Sequence, residues 1–171
     1  MDTVKELFRA YDCKTPNWSL QGRTVFARLV DMYDADTLTI ILPLQSGYFK
    51  FSGRVYGIDS SEMKSKIAEN KSTANKARNR MLQLCNVPNV FLEKTYTRKE
   101  VQAMLSQDVY LIWIKCGDWD KYGRLLIQVY KDKEDLTELG NILIEENLAY
   151  PYFGETKLTE SQQVNTMKVQ S

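Results

Sequence analysis

Thr24-Val25-Phe26-Ala27-Arg28-Leu29-Val30-Asp31-Met32, then Asp36-Thr37-Leu38-Thr39-Ile40-Ile41-Leu42-Pro43-Leu44, then Tyr48-Phe49-Lys50-Phe51-Ser52-Gly53-Arg54-Val55-Tyr56-Gly57-Ile58 stand almost end to end. All three stretches are rich in Val, Ile, Thr, Tyr and Phe. Such side chains suit a pleated, half-buried surface, so each stretch reads as a strand. Tyr33-Asp34-Ala35 separates the first pair and Gln45-Ser46-Gly47 the second. Gaps this short leave room only for hairpins, which makes the three strands an antiparallel meander.

Downstream the period changes. Ala74, Ala77, Met81 and Leu84 recur at spacings of three and four, one helical face within about Ser65–Cys85, and Pro88 follows as a stop. Val90–Thr95 reads as a short strand. Thr97 and Glu100 have the spacing of a capping box that opens a helix to about Gln107. Val109–Cys116 and Leu125–Tyr130 are two further strands, with Trp113 expected in the core. A last clear helix spans about Leu136–Glu146, with Asn147 placed to take the left-handed C′ position. In the leader, residues 1–23, the spacing of Leu7, Phe8 and Tyr11 predicts a short docked helix. The polar tail, residues 154–171, is expected to form at most a frayed helix.

Strands first, a helix midway and helices late define an α+β protein. A five-stranded antiparallel β-barrel with flanking α-helices, one of them between the third and fourth strands, is the OB-fold layout. Residues 24–153 form that domain, and about 88–107 is an insertion, either a satellite on the barrel or an interface.

Composition narrows the chemistry. With 171 residues, 43% hydrophobic and 26% charged, the chain is globular and long enough to bury a core. No apolar run approaches the roughly 18 residues that cross a bilayer. Met1–Glu6 has acidic residues and lacks an apolar h-region, so a soluble intracellular monomer with no membrane partner is the expectation. Cys13, Cys85 and Cys116 are odd in number and far apart, which fits a reducing compartment, with Cys116 an inert buried thiol. Histidine is absent, which removes every mechanism based on imidazole. Scattered cysteines cannot form a thiolate zinc site. Metal chemistry would therefore fall to carboxylate and carbonyl oxygens, hence to Ca²⁺ or Mg²⁺. The net charge of +1 gives no generic grip on nucleic acid. Locally, Lys64, Lys66, Lys71, Lys76, Arg78 and Arg80 face only Glu69, as either a solvated helix face or a stripe that steers phosphate.

Three elements carry the chemistry: Asp34-Ala35-Asp36-Thr37 between two strands, Arg54 with Asp59-Ser60-Ser61-Glu62 five to eight residues later, and Asp120-Lys121-Tyr122-Gly123-Arg124. Taken singly, the aspartates are turn formers, Arg54–Glu62 a strand-end ion pair and Asp120–Gly123 a hairpin turn. In this order, and with these internal spacings, they resemble the staphylococcal-nuclease (thermonuclease) family, whose pattern is D-G-D-T, then R-x-x-x-x-D-[TS]-x-E, then D-K-Y-G-R. The resemblance covers about Thr24–Ser61 and Val109–Ala149.

What the resemblance implies is a Ca²⁺-dependent nuclease acting on DNA and/or RNA and leaving 3′-phosphate and 5′-hydroxyl ends. Asp36, Asp59 and the carbonyl of Ser60 would hold the ion. Glu62 would position or deprotonate the attacking water, and Arg54 and Arg124 would clamp the scissile phosphate. Lys121, Tyr122, Tyr150 and Tyr152 would lie at the nucleotide. The physical chemistry agrees: charge builds on the equatorial oxygens of the phosphodiester, and a hard cation with two guanidinium forks suits that charge. Arg54 and Asp59 are five positions apart, so a regular strand would point them to opposite faces. A bulge or bend at Gly57 is expected to re-aim one of them.

The sequence departs from the pattern in three places. Ala35 stands at the turn glycine, which is costly if that position needs a positive φ. Ser60-Ser61 replace Thr-Pro, and a less rigid loop is expected. The long basic C-terminal helix is missing. The rival reading is a catalytically silent barrel that binds nucleic acid or protein; it predicts losses among the arginines and carboxylates, and none is lost.

Overall fold

A computed structural model describes residues 2–168; Met1 and the last three residues of the tail lie outside the described residues. The strands are β1 (Thr24–Asp34), β2 (Thr37–Leu44), β3 (Gly47–Val55), β4 (Gly57–Asp59), β5 (Leu111–Trp119), β6 (Leu125–Tyr130) and β7 (Tyr150–Tyr152). The helices are α1 (Asp2–Phe8), α2 (Ala68–Leu84), α3 (Arg98–Ser106), α4 (Leu139–Glu145) and α5 (Glu160–Met167). Five strands close into a barrel in the order β1-β2-β3-β6-β5, and β4 pairs with β7 in a separate two-stranded sheet. The protein is α+β, with a closed mixed barrel.

The fully antiparallel barrel expected from the sequence is corrected at one junction: β3 and β6 run parallel, with Gly53 opposite Leu125 and Val55 opposite Ile127. The reason is parity. A closed ring with an odd number of strands cannot reverse direction at every junction, and the other four pairings are antiparallel.

The barrel interior follows the period of two. On β6, Leu125, Ile127 and Val129 are buried and alternate with half-buried residues, and on β5 the buried Ile112, Ile114 and Cys116 alternate with half-buried or exposed ones. Leu29, Met32, Leu38, Ile40 and Leu42 complete the core from the meander. Burying each such side chain stabilises the fold by about 1.5–3 kcal/mol before chain entropy is counted. Trp113 is not in that core. It lies half-buried on the other face of β5, edge-on to Phe26 with ring centroids 4.8 Å apart. The strict alternation sends it outward.

Helix α2 buries Ala74, Ala77 and Met81 as the spacing predicts. It ends at Asn86, which takes φ 61°, while the amides of Asn86 and Val87 donate to the carbonyls of Gln83 and Leu82. That is a Schellman closure. Asn147, with φ 58°, closes α4 in the same way. The expected strand over Val90–Thr95 does not form. Its carbonyls are taken by a side chain: Asn79 Nδ2 donates to the carbonyls of Phe91 (3.1 Å), Leu92 (3.0 Å) and Lys94 (2.7 Å). A backbone whose acceptors already have donors needs no strand partner.

The capping box at Thr97 is present, and α3 lies on β1 with Val101 and Leu105 buried. Arg98 and Gln102 both donate to Asp31 Oδ2, at 2.8 and 2.9 Å, which pins this insertion to the barrel. The N-terminal helix forms but does not dock: Leu7, Phe8 and Tyr11 are all more than half exposed. In the tail, α5 opens with a second capping box, Thr159 with Gln162, and buries Gln163 and Met167.

Candidate active site

The register sets the site. Thr37 on β2 lies opposite Arg54 on β3, and Arg54 lies opposite Leu126 on β6. Arg124, two residues ahead of Leu126, donates from Nη1 to Thr37 Oγ1 at 3.5 Å. The two arginines named by the sequence are thereby brought to one place.

Asp59 arrives there through a bend. β3 stops at Val55, Gly57 takes φ +82°, and β4 leaves the barrel to pair with β7. Only glycine adopts that φ without strain. The bend turns Asp59 back, and Arg54 Nη2 donates to Asp59 Oδ1 at 2.8 Å. The same guanidinium reaches Asp36 Oδ1 at 3.0 Å through Nη1. Arg54, Asp36 and Asp59 are all buried, and one guanidinium bridges the two carboxylates.

Ala35 sits in the two-residue turn between Asp34 and Thr37, is fully buried, and is not among the non-glycine residues with positive φ. The turn that feared a missing glycine does not use the left-handed region. A register shift between Met32 and Asp34 accommodates it. Burial first, and then the adjacent Asp36 carboxylate, push Asp34 up to about 8, against the pull of Thr37 and Arg54.

The loop after β4 is tied down rather than loose. Ser60 donates to Asp36 Oδ2 from both its backbone N–H (2.9 Å) and its hydroxyl (3.0 Å). Ser61 is fully buried and donates to Asn70 Oδ1 at 3.4 Å. Two hydroxyls do here what the Thr-Pro ring would do by covalent constraint.

Across the sheet from Asp59, Tyr150 donates its hydroxyl to Asp59 Oδ2. Burial, and then that carboxylate, push the Tyr150 phenol well above its ordinary value. Tyr150 thus holds the carboxylate rather than facing an open site. Tyr152 lies with its ring 6.0 Å from the Arg54 guanidinium.

Asp120 and Arg124 close the opposite wall. Gly123, with φ +77°, makes the β5–β6 turn, and Asp120 Oδ1 accepts from the amides of Tyr122 (2.8 Å) and Arg124 (2.9 Å). Arg124 Nε donates to Asp120 Oδ2 at 2.7 Å, so the guanidinium is aimed by its own turn. Tyr122 is exposed, with Lys121 Nζ 5.2 Å and Arg124 5.5 Å from its ring. Arg54, Lys121, Tyr122, Arg124 and Tyr152 share a cleft of about 290 Å³ whose far wall is Tyr56 packed edge-on against Phe153.

Glu62 is half exposed, and its nearest cation is Lys157, at 3.7 Å. Lys157 Nζ also lies 2.8 Å from Asp59 Oδ1. Burial alone would pull this lysine down, but Asp59 and Asp36 outweigh it and hold it above its ordinary value. Nothing in the sequence singled out Lys157. Nor did Tyr56 and Phe153 carry any signal, because their meeting depends on the bend at Gly57.

The donors can be tested against a hard dication. Asp36, Asp59 and the Ser60 carbonyl supply oxygen, the donor type such ions take. The ammonium of Lys157 against Asp59 shows that a cation is held at this place. Among the described residues no three or more His, Cys, Asp or Glu side chains gather into a metal-sized group. The donor type suits a hard dication, and water would have to supply most of its shell.

The basic run over residues 64–80, which enters α2 at Lys71, does not act as one stripe. Arg78 is buried and donates to the Tyr96 carbonyl at 2.6 Å, Arg80 pairs with Glu146 at 2.8 Å, and Lys76 pairs with Glu93 at 3.0 Å. Half of the run is therefore structural. Cys85 and Cys116 are buried, and burial raises both thiols, Cys85 to about 12. No helix among the described residues is long and apolar enough to cross a membrane. No family model matches the chain, and no curated protein matches it.

Proposed function

We propose that this protein is a Ca²⁺-dependent nuclease of the staphylococcal-nuclease class, built on an OB-type barrel, that hydrolyses phosphodiester bonds of DNA and/or RNA. One observation carries the reading. Arg54 and Arg124 line one cleft with Lys121, Tyr122 and Tyr152, and Arg54 joins that cleft to the buried Asp36 and Asp59, with Ser60 bonded to Asp36.

Asp36, Asp59 and the Ser60 carbonyl would hold the ion, which when bound supplies positive charge at the phosphoryl oxygens. Arg124 presents N–H donors to the equatorial oxygens, where negative charge grows during attack, and Arg54, bridging Asp36 and Asp59, adds its positive charge beside them. Asp120 keeps Arg124 oriented for that task. Glu62, half in solvent, accepts a proton from the attacking water. The new P–O bond forms as the bond from phosphorus to the 5′ oxygen breaks. The 5′ oxygen leaves as a hydroxyl, taking a proton from solvent water as Glu62 returns its own to solvent, and the phosphate stays on the 3′ side. Tyr122 and Tyr152 offer ring faces to the sugar and base.

The silent-scaffold reading also has an observation in its favour. Each oxygen of Asp36 and Asp59 already accepts from a protein donor: Arg54 and Thr37, Ser60, Arg54 and Lys157, and Tyr150. Cleavage of labelled single-stranded DNA separates the two, run with Ca²⁺, Mg²⁺ or EDTA beside Glu62→Gln and Arg54→Ala. The nuclease reading expects cutting with Ca²⁺ that leaves 3′-phosphates and falls by about 10²–10³-fold in Arg54→Ala. DNA that is bound but not cut with Ca²⁺ or Mg²⁺ would establish the scaffold.

A further inference from the structure

We propose that Lys157 is a tethered cation that competes with the divalent ion for Asp59, and so sets the affinity of the site for Ca²⁺. The inference rests on the calcium reading of this site. Its geometry is independent of that reading: Lys157 Nζ lies 2.8 Å from Asp59 Oδ1 and 3.7 Å from Glu62 Oε1. One ammonium thus spans the carboxylate assigned to the ion and the carboxylate assigned to the water.

The placement is built, not incidental. Lys157 sits two residues before Thr159, which caps α5, and α5 is locked to the body. Asn70 Nδ2 donates to the Glu160 carbonyl at 2.8 Å, Gln163 Nε2 donates to the Leu158 carbonyl at 3.1 Å, and Gln163 and Met167 are buried. Gly154, with φ +103°, turns the chain on the other side. The backbone that follows Lys157 is therefore anchored, while its side chain is about half exposed, at 48%. A long, flexible, half-solvated side chain can swing off Asp59 without unfolding anything.

The charges also balance. Asp36 and Asp59 face Arg54 and Lys157, so two buried carboxylates meet two cationic side chains of the protein itself. Such a pair avoids the cost of an uncompensated buried carboxylate. It also means that an arriving dication must displace the ammonium before Asp59 can ligate. Arg54 cannot yield in the same way, because its guanidinium is buried and shared by both carboxylates.

Calorimetric titration of the whole chain with Ca²⁺ alone tests this, comparing wild type with Lys157→Met, Lys157→Gln, Lys157→Arg and Asp59→Asn. Removing one competing charge from a carboxylate is expected to tighten Ca²⁺ by about tenfold or more in Lys157→Met. Lys157→Gln keeps a donor but no charge, tightens equally, and carries the test if the Met variant does not fold. Lys157→Arg keeps the wild-type affinity, and Asp59→Asn abolishes binding. Thermal melts in EDTA run in the opposite sense, with both neutral variants below wild type. Equal or weaker Ca²⁺ binding by the neutral variants overturns the role of Lys157 and leaves the calcium site standing. No heat from any of the proteins overturns both.

Discussion

Asp120 shows how one side chain can serve fold and chemistry together. It is held by two backbone amides of its own turn and by Arg124. Burial alone would raise its carboxyl, but the hydrogen bonds from the Arg124 amide and side chain and from the Tyr122 amide win, and leave it below the usual carboxylate range. A depressed folded value stabilises the protein above the unfolded value and is lost as pH falls through the folded one. Asp120→Asn is therefore expected to flatten the acid limb of stability, read by urea unfolding from about pH 5 down to about pH 2. Turnover should drop with it, since Arg124 loses its orienting partner. An acid limb identical to wild type would refute the arrangement. At this scale the sequence was legible wherever spacing repeats a pattern, as for Arg54, Asp59 and Arg124. It was silent on Lys157, because no local rule links residue 157 to residue 59.

Single elements stand on side chains that replace missing backbone partners. Asn79 holds three carbonyls of the 91–94 segment from within α2, and Thr97 caps α3. The two differ in kind. Thr97→Ala exposes amides that water can reach, at a cost of about 1 kcal/mol. Asn79→Leu leaves acceptors facing an apolar group and should cost about 3 kcal/mol, since buried unmet groups cost about 1–3 kcal/mol each. Equal losses in chemical denaturation would show that the segment is not held as described. The capping box was readable because it is local in sequence. Val90–Thr95 was read as a strand because its composition matches one, while the side chain that claims its carbonyls lies a dozen residues upstream. The helix over residues 2–8 was readable from spacing, but whether it docks was not.

The molecule as a whole depends on the barrel closing at β3 and β6. Gly53 stands at that junction, opposite Leu125, and a Cβ built there would lie 2.8 Å from Ile127 Cδ1. Gly53→Val forces a branched side chain into this contact and is expected to cost about 1–3 kcal/mol, seen as a lowered midpoint in urea. The neighbouring Arg54 would be displaced as well, so cleavage should fall more than stability predicts. A variant as stable and active as wild type would mean that the junction is looser than the register implies.

By itself the sequence determined the strands of the meander, the helical face of α2, both hairpins flanking the site and the order of the charged motifs. Each is written in contiguous residues, where period, propensity and turn chemistry act over a few positions. Tertiary structure alone decided the parallel junction, the outward turn of Trp113, the burial of Arg78 and the arrival of Lys157 at Asp59. Those are outcomes of ring closure, face assignment and long-range contact. They depend on which distant segments meet, and the local energies that shape an element do not specify that.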